Sequence, residues 1–596
     1  MTSEVDMKVL LSGNEAVARG AHEAGVEIAT AYPGTPSTEI LETIAMQYRD
    51  IYAEWSPNEK VAFEVAVGSS IAGARCVVAM KHVGLNVAAD PFMTFAYTGV
   101  KGGFVVVSAD DPSMHSSQNE QDNRFYSKFA MIPMLEPSDS QESKDFVRFG
   151  LEISEQFDTP VMLRMVTRIS HSKGIVELND PVKHEVLGFE RNIPKYVMVP
   201  GHARLRRKII IERLEKLKEY SDNSPLNFVE NGRKDVGIIT SGISYEYAKE
   251  VMPDASFLKL GFSYPLPEKK IREFAKSVDR LFVVEELEPF LEDQIKAMGI
   301  ECEGKKYFTS YGELSASVVA DGLAEAGLLE KSSVPESSGE PLFPRPPVLC
   351  PGCPHRGVFT VLKKMKVPVT GDIGCYTLGA LDPLGSMDSC VCMGASIGNA
   401  IGIAKANGSE KSVVAAIGDS TFLHSGITGL LDASYNKANI TVIILDNRIT
   451  AMTGGQNHPG TGTTLMGQET FHVDMVKLCE AVGVTDIHTV DAYNLDETKA
   501  ALQKAFDHQG PSVVITNRPC VLMPRKVKEQ PYKVISDSCN GCKLCFRIGC
   551  PAIAASKELT KKGHPKAIID PDLCTGCTIC AQVCPEDAIV RADEKV

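Results

Sequence analysis

Two cysteine runs near the C-terminus carry the clearest chemistry. Cys539, Cys542, Cys545 and Cys550 precede Pro551, and Cys574, Cys577, Cys580 and Cys584 precede Pro585. Each run offers three thiolates at two-residue gaps and a fourth set further back. Eight thiolates so spaced suit two cubane [4Fe–4S] clusters. A triplet grips one face of a cube, and the remote cysteine reaches across to the other. On that pattern Cys539, Cys542, Cys545 and Cys584 hold one cluster, and Cys574, Cys577, Cys580 and Cys550 hold the second. Zinc also takes paired cysteines but wants four local ligands, and disulfides need an oxidising compartment. The first run has one extra residue before its last cysteine, so Phe546–Gly549 is expected to bulge the turn without losing the ligand.

A second constellation lies upstream. Gly418-Asp419-Ser420 follows the apolar run Val413–Ile417, and Asp446-Asn447 follows Ile440–Leu445, with 29 residues from Gly418 to Asn447. Carboxylate and amide oxygens at the carboxyl ends of two parallel strands can hold one hard cation, and Mg²⁺ takes few protein ligands while bridging phosphates. The spacing looks like the thiamine diphosphate motif, Gly-Asp-Gly followed about thirty residues later by Asn, with Ser420 in place of the third glycine. Carried over by residue, Asp419 and Asn447 are Mg²⁺ ligands through their side chains and Ile449 through its carbonyl. Gly418, Ser420 and Thr453 then line the diphosphate side. Two ordinary strand-end turns are the bland alternative. The cofactor also needs a carboxylate for its aminopyrimidine, supplied in thiamine enzymes by a different domain. Glu59, at the start of a helix rich in small residues, is the first candidate and Glu64 the second. A helix-start glutamate favoured by the dipole is the alternative.

These residues need strands to place them. Val77–Met80, Gly103–Ala109 and Pro160–Val166 read as buried strands with helices between, which predicts a parallel sheet. Val236–Gly242 and Leu281–Glu286 belong to a second α/β unit, and residues 348–525 to a third. Residues 195–232 read as a charged helix packed across domains, and 331–347 as a Ser/Pro-rich linker. The expected fold is α/β: three domains of thiamine-diphosphate-enzyme type, two thiamin-binding folds and one like the transketolase C-terminal domain, with a C-terminal two-cluster ferredoxin-like α+β domain. The expected limits are 1–195 (pyrimidine-binding), 233–330 (transketolase-C-terminal-like), 345–528 (diphosphate- and Mg-binding) and 530–596 (two clusters).

Thiamine diphosphate joined to ferredoxin clusters resembles the 2-oxoacid:ferredoxin oxidoreductases. Tyr32-Pro33-Gly34-Thr35-Pro36-Ser37, Cys350-Pro-Gly-Cys353-Pro-His355-Arg356 and Gly371-Asp-Ile-Gly-Cys375 look like family segments. Lys81–Asp90, Asp110–Asn119 and Val283–Pro289 resemble those of alpha subunits acting on indolepyruvate. The resemblance implies that Thr35 touches the substrate carboxylate. It implies oxidative decarboxylation of arylpyruvates, with coenzyme A as acyl acceptor and ferredoxin as electron acceptor. It also implies a beta subunit in an (alpha-beta)2 assembly. In many relatives four cysteines near the cofactor hold another cluster. The matching residues are Cys350, Cys353, Cys375 and Cys520, and whether they form a third [4Fe–4S] or are buried thiols stays open. Relatives that use pyruvate carry Asn before Thr-Gly-Gly-Gln. Met452 stands there and suits a larger aromatic substrate. His82, His355 and His458 lie in motif-like segments, as acid–base or diphosphate-holding groups or as satisfied core histidines. Cys76, Cys302, Cys390, Cys392 and Cys479 read as buried thiols.

Composition narrows the class. A net charge of −14 argues against a nucleic-acid partner. No leader pattern and no apolar run of about 18 residues is seen, so a cytoplasmic chain with no membrane span is expected. Two rivals remain: another 2-oxoacid:ferredoxin oxidoreductase, or a non-catalytic iron–sulfur electron-transfer subunit.

Overall fold

The computed structural model describes residues 8–330, 345–408, 413–523 and 529–594. Most of the predicted linker, 331–344, lies outside the described residues. Two compact units divide the chain, 1–340 and 341–596.

In the first unit a seven-stranded sheet runs in the order Phe262–Tyr264, Met134–Leu135, Val161–Val166, Phe104–Asp110, Cys76–Lys81, Ile28–Ala31, Tyr52–Trp55. Its ladders are parallel except at the edge, where Phe262–Tyr264 pairs antiparallel with Met134–Leu135. The central strands are buried along their whole length, which explains why Val- and Met-rich runs without alternation mark them. That edge strand comes from the segment expected to form a separate domain, so the first sheet is completed by residues distant in sequence. A second sheet runs Arg280–Val284, Arg233–Thr240, Ala255–Leu260, Asn227–Glu230.

The stretch 195–232 is not helical throughout. A helix spans Pro200–Asn223, and Asn227–Glu230 is a strand. The helix buries Arg206 and Arg213. Arg213 donates to the carbonyls of Ala96 and Asp158, and Arg206 to those of Tyr97 and Thr98. These carbonyls lie in the last turn of the helix Ala89–Thr98 and at the cap of Ser140–Phe157, where cations are favoured.

The second unit is built on six parallel strands in the order Ser389–Cys390, Val369–Gly371, Val414–Gly418, Thr441–Asp446, Ser512–Asn517, Asp486–Val490. The register sets Gly418 beside Leu445 and Asp446 beside Asn517. Three strands therefore end level, and Asp419, Asn447 and the Arg518–Cys520 turn emerge together. Two small antiparallel ladders follow, Tyr532–Val534 with Ile589–Arg591 and Ile553–Leu559 with Pro565–Ile569. They carry the cysteine runs. The extra residue of the first run is absorbed by a short 3₁₀ turn, Cys545–Ile548, closed by Gly549 at φ 66°. A side chain at Gly549 would press on Pro383 and on the Arg356 guanidinium.

Candidate functional site

Asp419 opens the turn after Val414–Gly418 and is 3% exposed. Its carboxylate accepts the backbone N–H of Ser420 at 2.8 Å and of Arg448 at 2.7 Å. One arm of the Asn447 amide lies 3.2 Å from Asp419 Oδ1 and 2.8 Å from the Ile449 carbonyl oxygen. As nitrogen that arm donates to both. As oxygen it completes a set of three converging oxygens, which a hard cation stabilises. The three atoms expected to ligate Mg²⁺ are thus already gathered.

Histidines flank this set. His458 is buried, with Nε2 3.3 Å from Asp419 Oδ2. Gly460 N–H donates to His458 Nδ1, which leaves the proton on Nε2, facing the carboxylate. Burial alone would raise the Asp419 pKa, but His458 and the Ser420 N–H hold it below the usual range. Burial and the Asp419 charge push Asp446 up to about 6. His355 Nε2 lies 3.4 Å from the Asn447 amide. Burial pushes His355 down to about 4, despite Asp419, and keeps it neutral. His82 is buried beside the Asn119 carbonyl, pushed down to about 4 first by burial and then by Lys81.

Two glycines give room to one ring. A side chain at Gly374 or Gly418 would lie 2.4 or 2.6 Å from Tyr376 Cε1. The close approach visible at Gly418 is therefore to Tyr376. Ser420 Oγ accepts from Thr450 Oγ1 at 2.8 Å, and Thr453 Oγ1 donates to Gln456 Oε1 at 2.5 Å. Met452, on the same loop, is 50% exposed.

In the first unit Glu59 begins the helix Glu59–Ile71, capped by the Asn58 side chain, and is 5% exposed. It packs over Gly84, where a side chain would lie 2.7 Å from Glu59 Oε1. Glu64 is exposed and paired with Lys60. Only the first carboxylate is thus enclosed. Thr35 is half-buried in the loop joining the strand Ile28–Ala31 to the helix Thr38–Gln47.

Two cavities sort the C-terminal cysteines. One is walled by Cys550, Cys574, Cys577 and Cys580, the other by Cys539, Cys542, Cys545 and Cys584. Among the described residues no three His, Cys, Asp or Glu side chains converge tightly enough for a single metal ion. Each set of four thiols lines one pocket, the ligand number a [4Fe–4S] cluster takes. Burial and then neighbouring thiolates push Cys545 and Cys577 up to about 11. Such a set needs cations to stay ionised, and ferric and ferrous iron provide them.

The other four thiols lie within electrostatic reach of one another. Cys375 feels the charges of Cys520 and Cys350, and Cys353 those of Cys375 and Cys350. Burial is the larger cause and pushes Cys353 up to about 12 and Cys375 to about 11. The Cys520 N–H donates to the Asn447 carbonyl at 3.0 Å, tying this group to the cation site. Of the cysteines expected to be buried thiols, Cys76 and Cys479 are buried and Cys302 is half-buried. Cys390 and Cys392 are exposed, Cys390 as the last residue of the edge strand Ser389–Cys390 and Cys392 just beyond it.

Sequence comparison agrees with this layout. Residues 19–212 match the family "Pyruvate flavodoxin/ferredoxin oxidoreductase, thiamine diP-bdg". Residues 372–516 match "Thiamine pyrophosphate enzyme, C-terminal TPP binding domain", and 538–588 match "4Fe-4S dicluster domain". Indolepyruvate oxidoreductase subunit IorA of Archaeoglobus fulgidus is 43% identical over 617 residues, 98% of each chain. The chain belongs to the indolepyruvate oxidoreductase subunit IorA family. IorA of Pyrococcus abyssi is likewise 43% identical, over 98% of this chain and 97% of its own. A more distant relative, 2-oxoglutarate synthase subunit KorA of A. fulgidus, is 25% identical over 46% of this chain and 87% of its own. IorA-family membership with these three matches makes thiamine diphosphate and iron–sulfur clusters the cofactors, and the oxygen set and thiol-lined cavities fit them. Among the described residues no helix is long and apolar enough to cross a membrane.

One residue was named in a segment of the sequence but given no role there. Arg356, the second residue of the helix His355–Met365, is 2% exposed. Its guanidinium donates to the carbonyls of Ile548 (2.6 Å), Leu349 (2.5 Å) and Cys350 (3.2 Å), and it lines the Cys550 cavity. Its charge favours the thiolates of both Cys353 and Cys577. An arginine right after a Cys-Pro-His run was the available signal.

Proposed function

We propose that this chain is the catalytic subunit of an indolepyruvate:ferredoxin oxidoreductase. The reaction converts an arylpyruvate, coenzyme A and two oxidised ferredoxins into arylacetyl-CoA, carbon dioxide, a proton and two reduced ferredoxins. The observation that carries the reading is the convergence of Asp419, Asn447 and the Ile449 carbonyl beside the Cys350–Cys520 thiol group. The domain limits 1–195, 233–330, 345–528 and 530–596 belong to the same reading.

Bound thiamine diphosphate supplies the electron sink for decarboxylation of a 2-oxoacid. Asp419, Asn447 and the Ile449 carbonyl hold Mg²⁺, and Gly418, Ser420 and Thr453 border the diphosphate. Neutral His355 and the Nε2–H of His458 orient Asn447 and Asp419. Glu59 would be the carboxylate that gives and takes a proton at the aminopyrimidine of bound thiamine diphosphate. Its enclosure against Gly84 supports that role over Glu64. Thr35 donates its hydroxyl to the substrate carboxylate. Met452 borders the aryl group.

Cys350, Cys353, Cys375 and Cys520 would hold one [4Fe–4S] cluster and the two C-terminal cysteine sets two more, and bound clusters would supply one-electron transfer toward ferredoxin. A beta subunit completes an (alpha-beta)2 assembly. The test is viologen reduction by the reconstituted complex with coenzyme A and indolepyruvate, phenylpyruvate or pyruvate. Turnover is expected with the two arylpyruvates. Turnover with pyruvate alone would move the chain to another 2-oxoacid class, and no turnover despite full cofactor loading would leave it an electron-transfer subunit.

A further inference from the structure

The two C-terminal cavities have four thiols each but different walls. Beside Cys550, Cys574, Cys577 and Cys580 stand Arg356 and Thr575. Arg356 Nε and Thr575 Oγ1 are both buried and have no hydrogen-bond partner among the described residues. The acceptors found for the guanidinium are the three carbonyl oxygens, and no carboxylate pairs with it among the described residues. A buried cation without a counter-anion is costly, and so is a buried unpaired N–H or O–H.

Among the described residues the other cavity has no buried cation and no unpartnered buried donor, and its cation, Lys543, is exposed. Its polar wall residues are Asn540, Lys543 and Glu586, and Asn540 already donates to Glu586. None of the unpartnered buried side-chain atoms belongs to that wall.

A cube held by four thiolates is anionic and gains negative charge on reduction. A nearby cation and N–H or O–H donors to its sulfurs favour the reduced form more than the oxidised one. We propose that Arg356 and Thr575 hold the cluster of Cys550, Cys574, Cys577 and Cys580 at a higher reduction potential than the cluster of Cys539, Cys542, Cys545 and Cys584. Arg356 acts as counter-cation and donor, and Thr575 as donor. Both are positioning residues, and the assignment rests on the two-cluster reading above. Each cube takes up one electron from the 2-oxoacid oxidation and gives up one toward ferredoxin. The electron collects at the Arg356-side cube. That cube also borders Pro351 and Gly352, between Cys350 and Cys353.

The test is an EPR-monitored redox titration of the whole complex, wild type against Thr575→Val, Arg356→Lys and Arg356→Met, with iron counted in each. Thr575→Val keeps the shape and removes the donor. It is expected to lower the potential of the higher-potential cubane signal, with about a tenfold change in the reduced-to-oxidised ratio at fixed poise, about 59 mV for one electron. The lower-potential signal stays put. Arg356→Met lowers the higher-potential signal further, and Arg356→Lys, which keeps the charge, lowers it less. If Arg356→Met loses iron, Thr575→Val alone decides. An unmoved higher-potential signal in Thr575→Val, or equal shifts of both signals, overturns the proposal. Two cubane signals that titrate together, with iron for both cubes, also overturn the proposal, whereas iron for fewer than two cubes in wild type means that the two-cluster reading itself has failed.

Discussion

Asp419→Asn separates cofactor binding from folding. The replacement keeps the shape but removes the charge and half the accepting capacity. Two backbone N–H groups, from Ser420 and Arg448, donate to the carboxylate at 2.8 and 2.7 Å, and His458 Nε2 adds a third contact at 3.3 Å. An asparagine oxygen satisfies one N–H and turns its NH₂ toward the other. One unmet buried donor costs about 1–3 kcal/mol. Removing the neighbouring charge relieves Asp446, which Asp419 helps to push up, so part of that cost is returned and the fold survives. Mg²⁺ has no such compensation. Losing one partner of a buried charge contact costs about 3–5 kcal/mol, or roughly 10²–10⁴-fold in affinity at 1.4 kcal/mol per decade. Calorimetry with Mg²⁺ and thiamine diphosphate measures this, with thermal unfolding alongside. His458→Ala is a milder companion at about 10–100-fold, the usual range for a residue behind a ligand, and His458→Gln, which can present an N–H in place of Nε2–H, recovers most of it. Asp419→Asn binding within threefold of wild type would refute the assignment of this carboxylate to the cation.

Three further outcomes are expected. Glu59→Gln lowers turnover by about 10²–10⁴-fold, as loss of a proton-transfer group does, with cofactor affinity nearly unchanged, whereas exposed Glu64→Gln stays near wild type; steady-state viologen assays compare them. Cys550→Ser and Cys584→Ser each lose about four iron atoms, the first from the Cys574 triplet and the second from the Cys539 triplet, and EPR shows which signal vanishes; about twelve atoms in wild type indicates the third cluster and about eight its absence. Burial pushes Asp110 and Glu286 up to about 7 despite Arg164. Carboxyls raised in the fold bind protons more tightly there than when unfolded, so their contribution is complete near pH 4 and lost as pH rises through about 7. Thermal unfolding of the apo chain from pH 5 to 7 should show falling stability that levels off above 7, and Asp110→Asn with Glu286→Gln should flatten the slope.

The sequence was legible where chemistry is local. The Cys-x2-Cys triplets, Gly418-Asp419-Ser420 and Asp446-Asn447 place ligands at spacings that turns and strand ends impose, whatever surrounds them. Long apolar runs marked the buried strands because both faces of a parallel sheet are covered. Longer-range facts were not legible. Asn227–Glu230 lies after a charged helix and pairs with Ala255–Leu260 only through tertiary contact. The edge strand Phe262–Tyr264 crosses an expected domain limit because an open sheet edge there takes up three residues from far along the chain. The sequence ranks Glu59 ahead of Glu64 only by its place at the helix start, and the fold adds that Glu59 is enclosed against Gly84 while Glu64 is exposed. Exposure of Cys390 follows from an edge position that cysteine spacing does not encode. The cysteines' number and type are local matters and stand in the sequence. Their partition into two cavities with unequal walls depends on Arg356 and Thr575 arriving from opposite ends of the second unit, and only the folded chain decides that.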